Sequence, residues 1–253
     1  EGGNIFMNFH RLKFQPILQR FGNNKDEVTD DIEKYVQGLH WTKIAEKNPN
    51  WRPPRRFNSR MARERGFKAQ VGESMPKASD YGKTHAYESV KKSDIKDWTD
   101  DAKLKAKGYT DEEIGSIKEG VHEVAKFYRS LRMDLHRAGI IDLTTLKFLG
   151  KEYKYYNPIE YIEFKDAGKL AGRRRKGLGD RSRNVTEDGI LEVQDKATTY
   201  SALPPTGEAM AHSAIQNRIR INKNSITRDF VRMLKGTNAD LKDVSDEFVT
   251  YKV

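Results

Sequence analysis

The longest regular pattern in the chain is TDEEIGSIKEGVHEVAKFYRSLRMDLHRAGII, which starts at Thr110. Its apolar positions are Ile114, Ile117, Val121, Val124, Tyr128, Leu131, Leu135 and Ala138, with spacings that alternate between three and four residues. That period predicts a helix over about 111–138 with one buried seam. Thr110 and Glu113 stand at capping-box spacing, where each side chain satisfies an orphan backbone N–H of the other residue. Gly139 suits the left-handed position that ends a helix, and Ile140 can fold back over the last turn. A second long helix is expected over about 207–235, with Thr206 before it, Gly236 after it and an apolar set of Ala211, Ile215, Ile219, Ile226, Phe230, Val231 and Leu234. The polar stretch Asn222–Ser225 interrupts that set and marks a bend or an exposed turn. A third helix is expected over about Glu27–Lys47, with Val28, Ile32, Tyr35, Val36 and Leu39 inward and Pro49 ending it. The opening segment places Phe6, Phe9, Phe14, Ile17 and Phe21 near one helical face, and Pro16 should kink or split it.

The regions between these helices are less periodic. Residues 49–95 are basic and then rich in Ser, Gly and Lys. EYKYYNPIEYIEF has the partial alternation of a short extended segment. Residues 171–205 form a long polar connection, a length that is usually functional or flexible. The expected fold is therefore mainly α: several long helices in an elongated or bundle-like arrangement, with long basic loops and little strand. Three parts are expected: an N-terminal helical segment (1–50), a basic, polar connecting region (51–105) and a helical domain (106–253) that carries the two long helices and the basic loop at 171–205. No internal repeat is evident.

Charge changes the picture. The 253-residue chain carries a net charge of +10, and two segments together exceed it, leaving the remainder about neutral. WRPPRRFNSRMARERGFKAQ carries Arg52, Arg55, Arg56, Arg60, Arg63, Arg65 and Lys68 against Glu64, a net +6. AGRRRKGLGDRSR carries Arg173, Arg174, Arg175, Lys176, Arg181 and Arg183 against Asp180, a net +5. Concentrated positive charge is what contact with a polyanion requires. These arginines and Lys176 are the candidate nucleic-acid-binding residues, with a solvated basic loop as the alternative. Trp51, Phe57 and Phe67 can stack on bases or anchor the loop.

Other chemistry finds little support in the spacing. Gly172, Gly177 and Gly179 lack the order of a phosphate-binding Walker loop. Of the six histidines, His122 and His136 share a helical face but stand about 21 Å apart, too far for one metal ion. Asp111, Glu112 and Glu113, like Asp26, Glu27, Asp30 and Asp31, sit where a helix start favours negative charge. There are no cysteines, which excludes a thiolate nucleophile and a cysteine zinc site. No catalytic residue, cofactor or metal is expected. No apolar run approaches the roughly 20 residues of a membrane span. The opening EGGNIFMNFH has no initiator Met and no signal-peptide core, so Glu1 reads as an internal position of a longer polypeptide.

The order of segments carries a resemblance. HWTKIAEKNPNW is followed by GYTDEEI, by a helix ending LRMDLHRAGII, by YKYYNPIEYIEF, by GRRRKGLGDRSR and by AHSAIQNRIRINKNSITRDFVRML. This resembles a module of the large polyvalent proteins of phages and mobile elements, which include internal virion proteins ejected with the DNA. Gly139–Ile140, Tyr156–Asn157–Pro158, Arg181–Ser182–Arg183 and Asn217–Arg218 occupy its characteristic steps. The similarity covers roughly residues 35–235, and the sequence departs from it in the long basic insertion after Asn48 and in a weak aromatic-proline step at Tyr156–Asn157–Pro158. The resemblance implies a helical, non-enzymatic segment that assists DNA ejection and translocation across the host envelope. Its partners would be phage DNA through the phosphate backbone, other ejection proteins or the portal, and copies of itself. Its location would be the virion interior and then the host envelope or periplasm. The alternatives are part of a virion-packaged nucleic-acid enzyme such as an RNA polymerase, or a sequence-independent DNA-binding module.

Overall fold

The computed structural model describes residues 2–58, 87–152, 154–155, 202–203 and 206–237. The architecture is mainly α. In chain order the elements are α1 (Gly2–Phe9), a π-helical turn (His10–Phe14), α2 (Gln15–Gln19), a 3₁₀ turn (Gly22–Asn24), α3 (Lys25–Lys47), β1 (Arg55–Phe57), β2 (Tyr87–Glu88), α4 (Lys92–Asp97), α5 (Asp101–Ala106), α6 (Asp111–Arg137), α7 (Leu143–Glu152), β3 (Ala202–Leu203) and α8 (Thr206–Thr237).

α6 is the central element. Thr110 Oγ1 accepts from the Glu113 N–H at 3.2 Å, and Glu113 Oε2 accepts from the Thr110 N–H at 2.8 Å, completing the capping box. At the other end Gly139 adopts φ 76°. Its N–H donates to the His136 carbonyl at 2.8 Å, and the Ile140 N–H donates to the Leu135 carbonyl at 2.9 Å. That pair of bonds is the Schellman ending. Between these ends Ile114, Ile117, Val121, Val124, Tyr128, Leu131 and Leu135 are all buried. Each such side chain contributes roughly 1.5–3 kcal/mol relative to remaining exposed.

α3 crosses α6 where Gly120 leaves room for Ile32. A Cβ on Gly120 would stand 2.6 Å from Ile32 Cδ1. Val28, Ile32, Tyr35 and Val36 of α3 join the α6 seam with Phe14, Ile17, Leu18 and Phe21 in one apolar cluster. Pro16 falls at the start of α2, just after the π-helical turn, so it splits the opening segment where it cannot donate an N–H. A second cluster gathers Trp41, Ile44, Trp51, Ile95 and Leu149. Trp41 lies between Trp51 and Trp98, at ring distances of 5.9 and 5.7 Å.

The region after Asn48 is more than a connection. α4 and α5 bury Ile95 and Leu104. The strands form one small sheet in the order β2-β1-β3. β1 pairs antiparallel with β2, placing Arg56 opposite Glu88, and parallel with β3, placing Arg56 opposite Leu203. Thus the polar connection expected at 171–205 ends in a strand at Ala202–Leu203, and EYKYYNPIEYIEF opens on the last residue of α7. At Lys154 and Tyr155 the latter segment forms a turn, not an extended strand, and Tyr155 packs against the main apolar cluster. The rest of both segments lies outside the described residues.

α8 runs unbroken through the polar stretch at Asn222–Ser225, where a bend or turn was expected. The reason is a tertiary contact: Asn224 Nδ2 donates to the Ala138 carbonyl at 2.7 Å. The polar residue thereby satisfies a carbonyl at the end of α6 instead of breaking its own helix. The first turns of α8 bury Ala209, Met210, Ser213 and Ala214. α1 packs against them closely, because a Cβ on Gly2 would meet Ile215 Cα at 2.6 Å and the Ala214 carbonyl oxygen at 2.8 Å. Farther along, Ile221 packs on the small cluster of Leu135, Ile140 and Ile141.

Candidate functional site

Of the candidate phosphate-contacting residues, Arg52, Arg55 and Arg56 are described, and they have different environments. Arg52 is exposed and Arg55 is half-buried. Arg56 leaves the surface set altogether, with 1% of it exposed. Register explains this. Pairing with β2 and β3 makes β1 the middle strand and turns the Arg56 side chain onto α3. There Asp30, Glu33, Lys34 and Gln37 recur at helical spacing on one face.

The Arg56 guanidinium is surrounded by acceptors. NH2 donates to Asp30 Oδ1 at 2.6 Å, NH1 to Glu88 Oε1 at 2.7 Å and Nε to Gln37 Oε1 at 3.3 Å. Glu33 Oε2 stands 3.7 Å from NH2. Asn58 Nδ2 donates to Glu88 at 2.9 Å, and Lys34 pairs with Asp30 at 2.7 Å. The guanidinium also lies 5.7 Å from the Trp98 ring centre. A side chain engaged in this way cannot reach a nucleic-acid phosphate, so Arg56 is an internal tie between β1, β2 and α3.

Asp30 and Glu33 do not titrate alike. Burial raises the Asp30 carboxyl, but Arg56 and Lys34 outweigh that and hold it below the usual range. Burial dominates at Glu33 and lifts it to about 7, with Arg56 and the Thr206 backbone N–H opposing. Glu33 therefore links the network to the start of α8. Elsewhere, burial, with help from Arg132, lowers His40 to about 3. Asp31, read from sequence as a helix-start acid, is instead 3% exposed. It accepts from Tyr109 at 3.0 Å and pairs with Lys107. Asp30 was placed in the same helix-start group, and it too anchors the interior.

The surface of α8 was not singled out by sequence reasoning. Ile215, Ile219, Ile226, Phe230 and Met233 are 41%, 40%, 69%, 49% and 59% exposed. At about 100° per residue, these five fall within an arc of about 60°. Met210, Ala214, Ile221 and Asn224, which meet the body, project on nearly the opposite side. Most of the apolar set expected for this helix is thus its outward face. Arg218, Arg220, Lys223, Arg228 and Arg232 lie along the same helix. Spacing alone already marked the stripe. The close approach of α1 at Gly2, which decides which face is covered, is a long-range contact with no local sequence signal.

Arg60, Arg63, Arg65, Arg173, Arg174, Arg175, Lys176, Arg181 and Arg183 lie outside the described residues. Among the described residues no group of His, Asp or Glu side chains is arranged to hold a metal ion, and no helix is long and apolar enough to cross a membrane. A shallow 250 Å³ depression on α6 is lined by Lys126, Arg129, Ser130, Met133, Asp134 and Arg137. In comparisons with known proteins, no family model, curated protein or solved structure matches the chain.

Proposed function

We propose that this chain is a helical assembly segment of a phage internal virion protein that leaves the capsid with the genome and assists DNA translocation across the host envelope. Its role is structural: helix–helix contacts with copies of itself, other ejection proteins or the portal, and basic contacts to the DNA backbone. The observation that carries the assembly role is α8, a helix that packs one face on the body and leaves an Ile/Phe/Met stripe, interrupted once at Asn222, outside it. A protein with a packed core and a second ordered apolar face is suited to joining something. The phage context rests on the order of segments in the sequence.

The test is to locate the protein during infection. Quantitative mass spectrometry of virions, of emptied capsids and of host envelope fractions is expected to find it in full virions, depleted from emptied ones and enriched in the envelope. Absence from virions, or retention in emptied capsids, overturns the reading.

Sequence-independent DNA binding is a second reading, favoured by the six cations in the sequence of α8. Each phosphate neutralised on duplex DNA contributes about 0.9 to the log–log salt slope. Replacing Arg173, Arg174 and Arg175 with Ala should lower that slope by up to about 3, equally on unrelated duplexes. An unchanged slope assigns DNA contact to residues other than these three.

A further inference from the structure

We propose that the outward stripe of α8 pairs with the same stripe of a second copy of this chain, antiparallel, about a two-fold axis near Asn224. This rests on the assembly part of the reading above and names the partner.

Width is the first argument. The stripe occupies an arc of about 60°, whereas an amphipathic face that lies on a broad apolar surface spans 100° or more. A narrow line of side chains fits the groove of one other helix. Over the stripe from Ile215 to Met233 the apolar positions keep the period of a straight helix for about five turns, or roughly 27 Å. That length suits a short, straight helix pair.

Self-complementarity is the second. An isologous contact requires that if one residue meets a second, the second meets the first across the axis. With the axis near Asn224, Ile215 stands level with Met233 of the other copy, Ile219 with Phe230, and Asn222 with Ile226. The two Asn222 side chains flank the axis about 6 Å apart along it, within reach of one another. A single polar residue within an apolar seam is a known device for selecting register and orientation.

Charge is the third. Arg218 and Asp229 project from the same edge of the stripe, about 20° apart in helical projection. The antiparallel arrangement brings Arg218 of each copy level with Asp229 of the other, forming two symmetric ion pairs. Within one chain Asp229 meets Arg232 at 3.6 Å, with both side chains well exposed, so exchanging that contact costs little. In a parallel pair Arg218 and Asp229 would stand about 16 Å apart along the helices, so only the antiparallel order pairs them. The antiparallel pair also brings the two Lys223 side chains together near the axis, a repulsive contact.

The experiment uses the full purified chain. Sedimentation velocity from about 1 to 200 μM is expected to show a monomer–dimer equilibrium. Ile226→Glu should abolish it with an unchanged far-ultraviolet circular dichroism spectrum. Asp229→Arg should weaken the dimer at least tenfold, and the double variant Arg218→Glu, Asp229→Arg should recover most of it. The native chain has no cysteine, so single-cysteine variants report geometry directly. Mixed Ile215→Cys and Met233→Cys chains should cross-link with each other on oxidation, and neither should cross-link alone. Wild type that stays monomeric across the range overturns the proposal, as does self-cross-linking of Ile215→Cys, which signals a parallel pair. Wild type that is monomeric in solution yet binds phosphatidylglycerol vesicles, with binding lost in Ile226→Glu, overturns it in favour of a lipid surface. A dimer through α8 in a protein absent from virions would remove the virion reading and leave this one standing.

Discussion

α6 and α8 are both long, both carry apolar residues three and four apart, and both are studded with charge. In α6 the apolar line is covered by α1, α2, α3 and α5 over most of its length and at Leu135 by Ile140, Ile141, Leu146 and Ile221. In α8 the corresponding line points away from the body, and the covered side holds Ala209, Met210, Ser213 and Ala214. Spacing therefore specifies a helix and a face, but the partner surface decides whether that face is filled. α6 found its partners early in the sequence, in α3 and the phenylalanines of the opening segment. α8 meets the body through Met210 and Ile221 and, where α1 approaches most closely at Gly2, through its own backbone at Ala214 and Ile215.

This difference can be broken or sharpened by substitution. Leu131→Ala, in the covered seam, should cost about 2–5 kcal/mol of unfolding free energy by chemical denaturation. A loss under about 1 kcal/mol would mean that the seam repacks freely and that the contrast with α8 is false. Gly2→Ala should cost about 1–3 kcal/mol, because the added methyl meets α8 backbone and not a movable side chain. A neutral result would show that α1 is free to separate from α8.

The third effect is gated by pH. The folded Glu33 carboxyl lies at about 7, above its ordinary value of 4.5. The folded state thus binds this proton more tightly, and the associated stability is present below about 4.5 and lost as pH rises through 7. Glu33→Gln keeps a neutral side chain at every pH. Its stability relative to wild type should improve by about 1 kcal/mol between about pH 6 and 7.5. His40 is retained in both proteins, so its own titration cancels in the difference. A difference independent of pH would place Glu33 in the ordinary carboxylate range.

The smallest effect is expected in α8. Ile226→Ser should change monomer stability by no more than about 0.5 kcal/mol, the range of surface substitutions away from special features. A larger loss, measured at a concentration where the chain is monomeric, would mean that the stripe is covered within a single chain.

Much of α6 was legible from residues alone, because its signals are local. Thr110 and Glu113 cap it, the three–four spacing names the buried side chains, and Gly139 with Ile140 closes it. Pro16 likewise announced the break in the opening segment. Arg56 was not legible as an interior residue. Its neighbours in sequence are cations, and its acceptors Asp30, Glu33, Gln37 and Glu88 arrive from two other elements. A buried ion network of this kind has no period to detect. Asp31 misleads for the same reason, since Tyr109 and Lys107 come to it from far along the chain. The mainly α architecture was readable, and so was the existence of α8. Which way α8 faces depends on contacts separated by the whole length of the chain.

That separation has a consequence for how the molecule is born. Gly2 and Phe6 are made about 200 residues before the helix they pack against, which begins only at Thr206. At a synthesis rate of about 5–20 residues per second, α1 waits roughly 10–40 s on the ribosome for its partner. During that interval the opening phenylalanines can settle on α6 once it emerges, but the Gly2 surface has nothing to bind. The docking of α1 on α8 is therefore timed by translation, and a nascent chain stalled before α8 would leave the Gly2 surface exposed to chaperones and proteases.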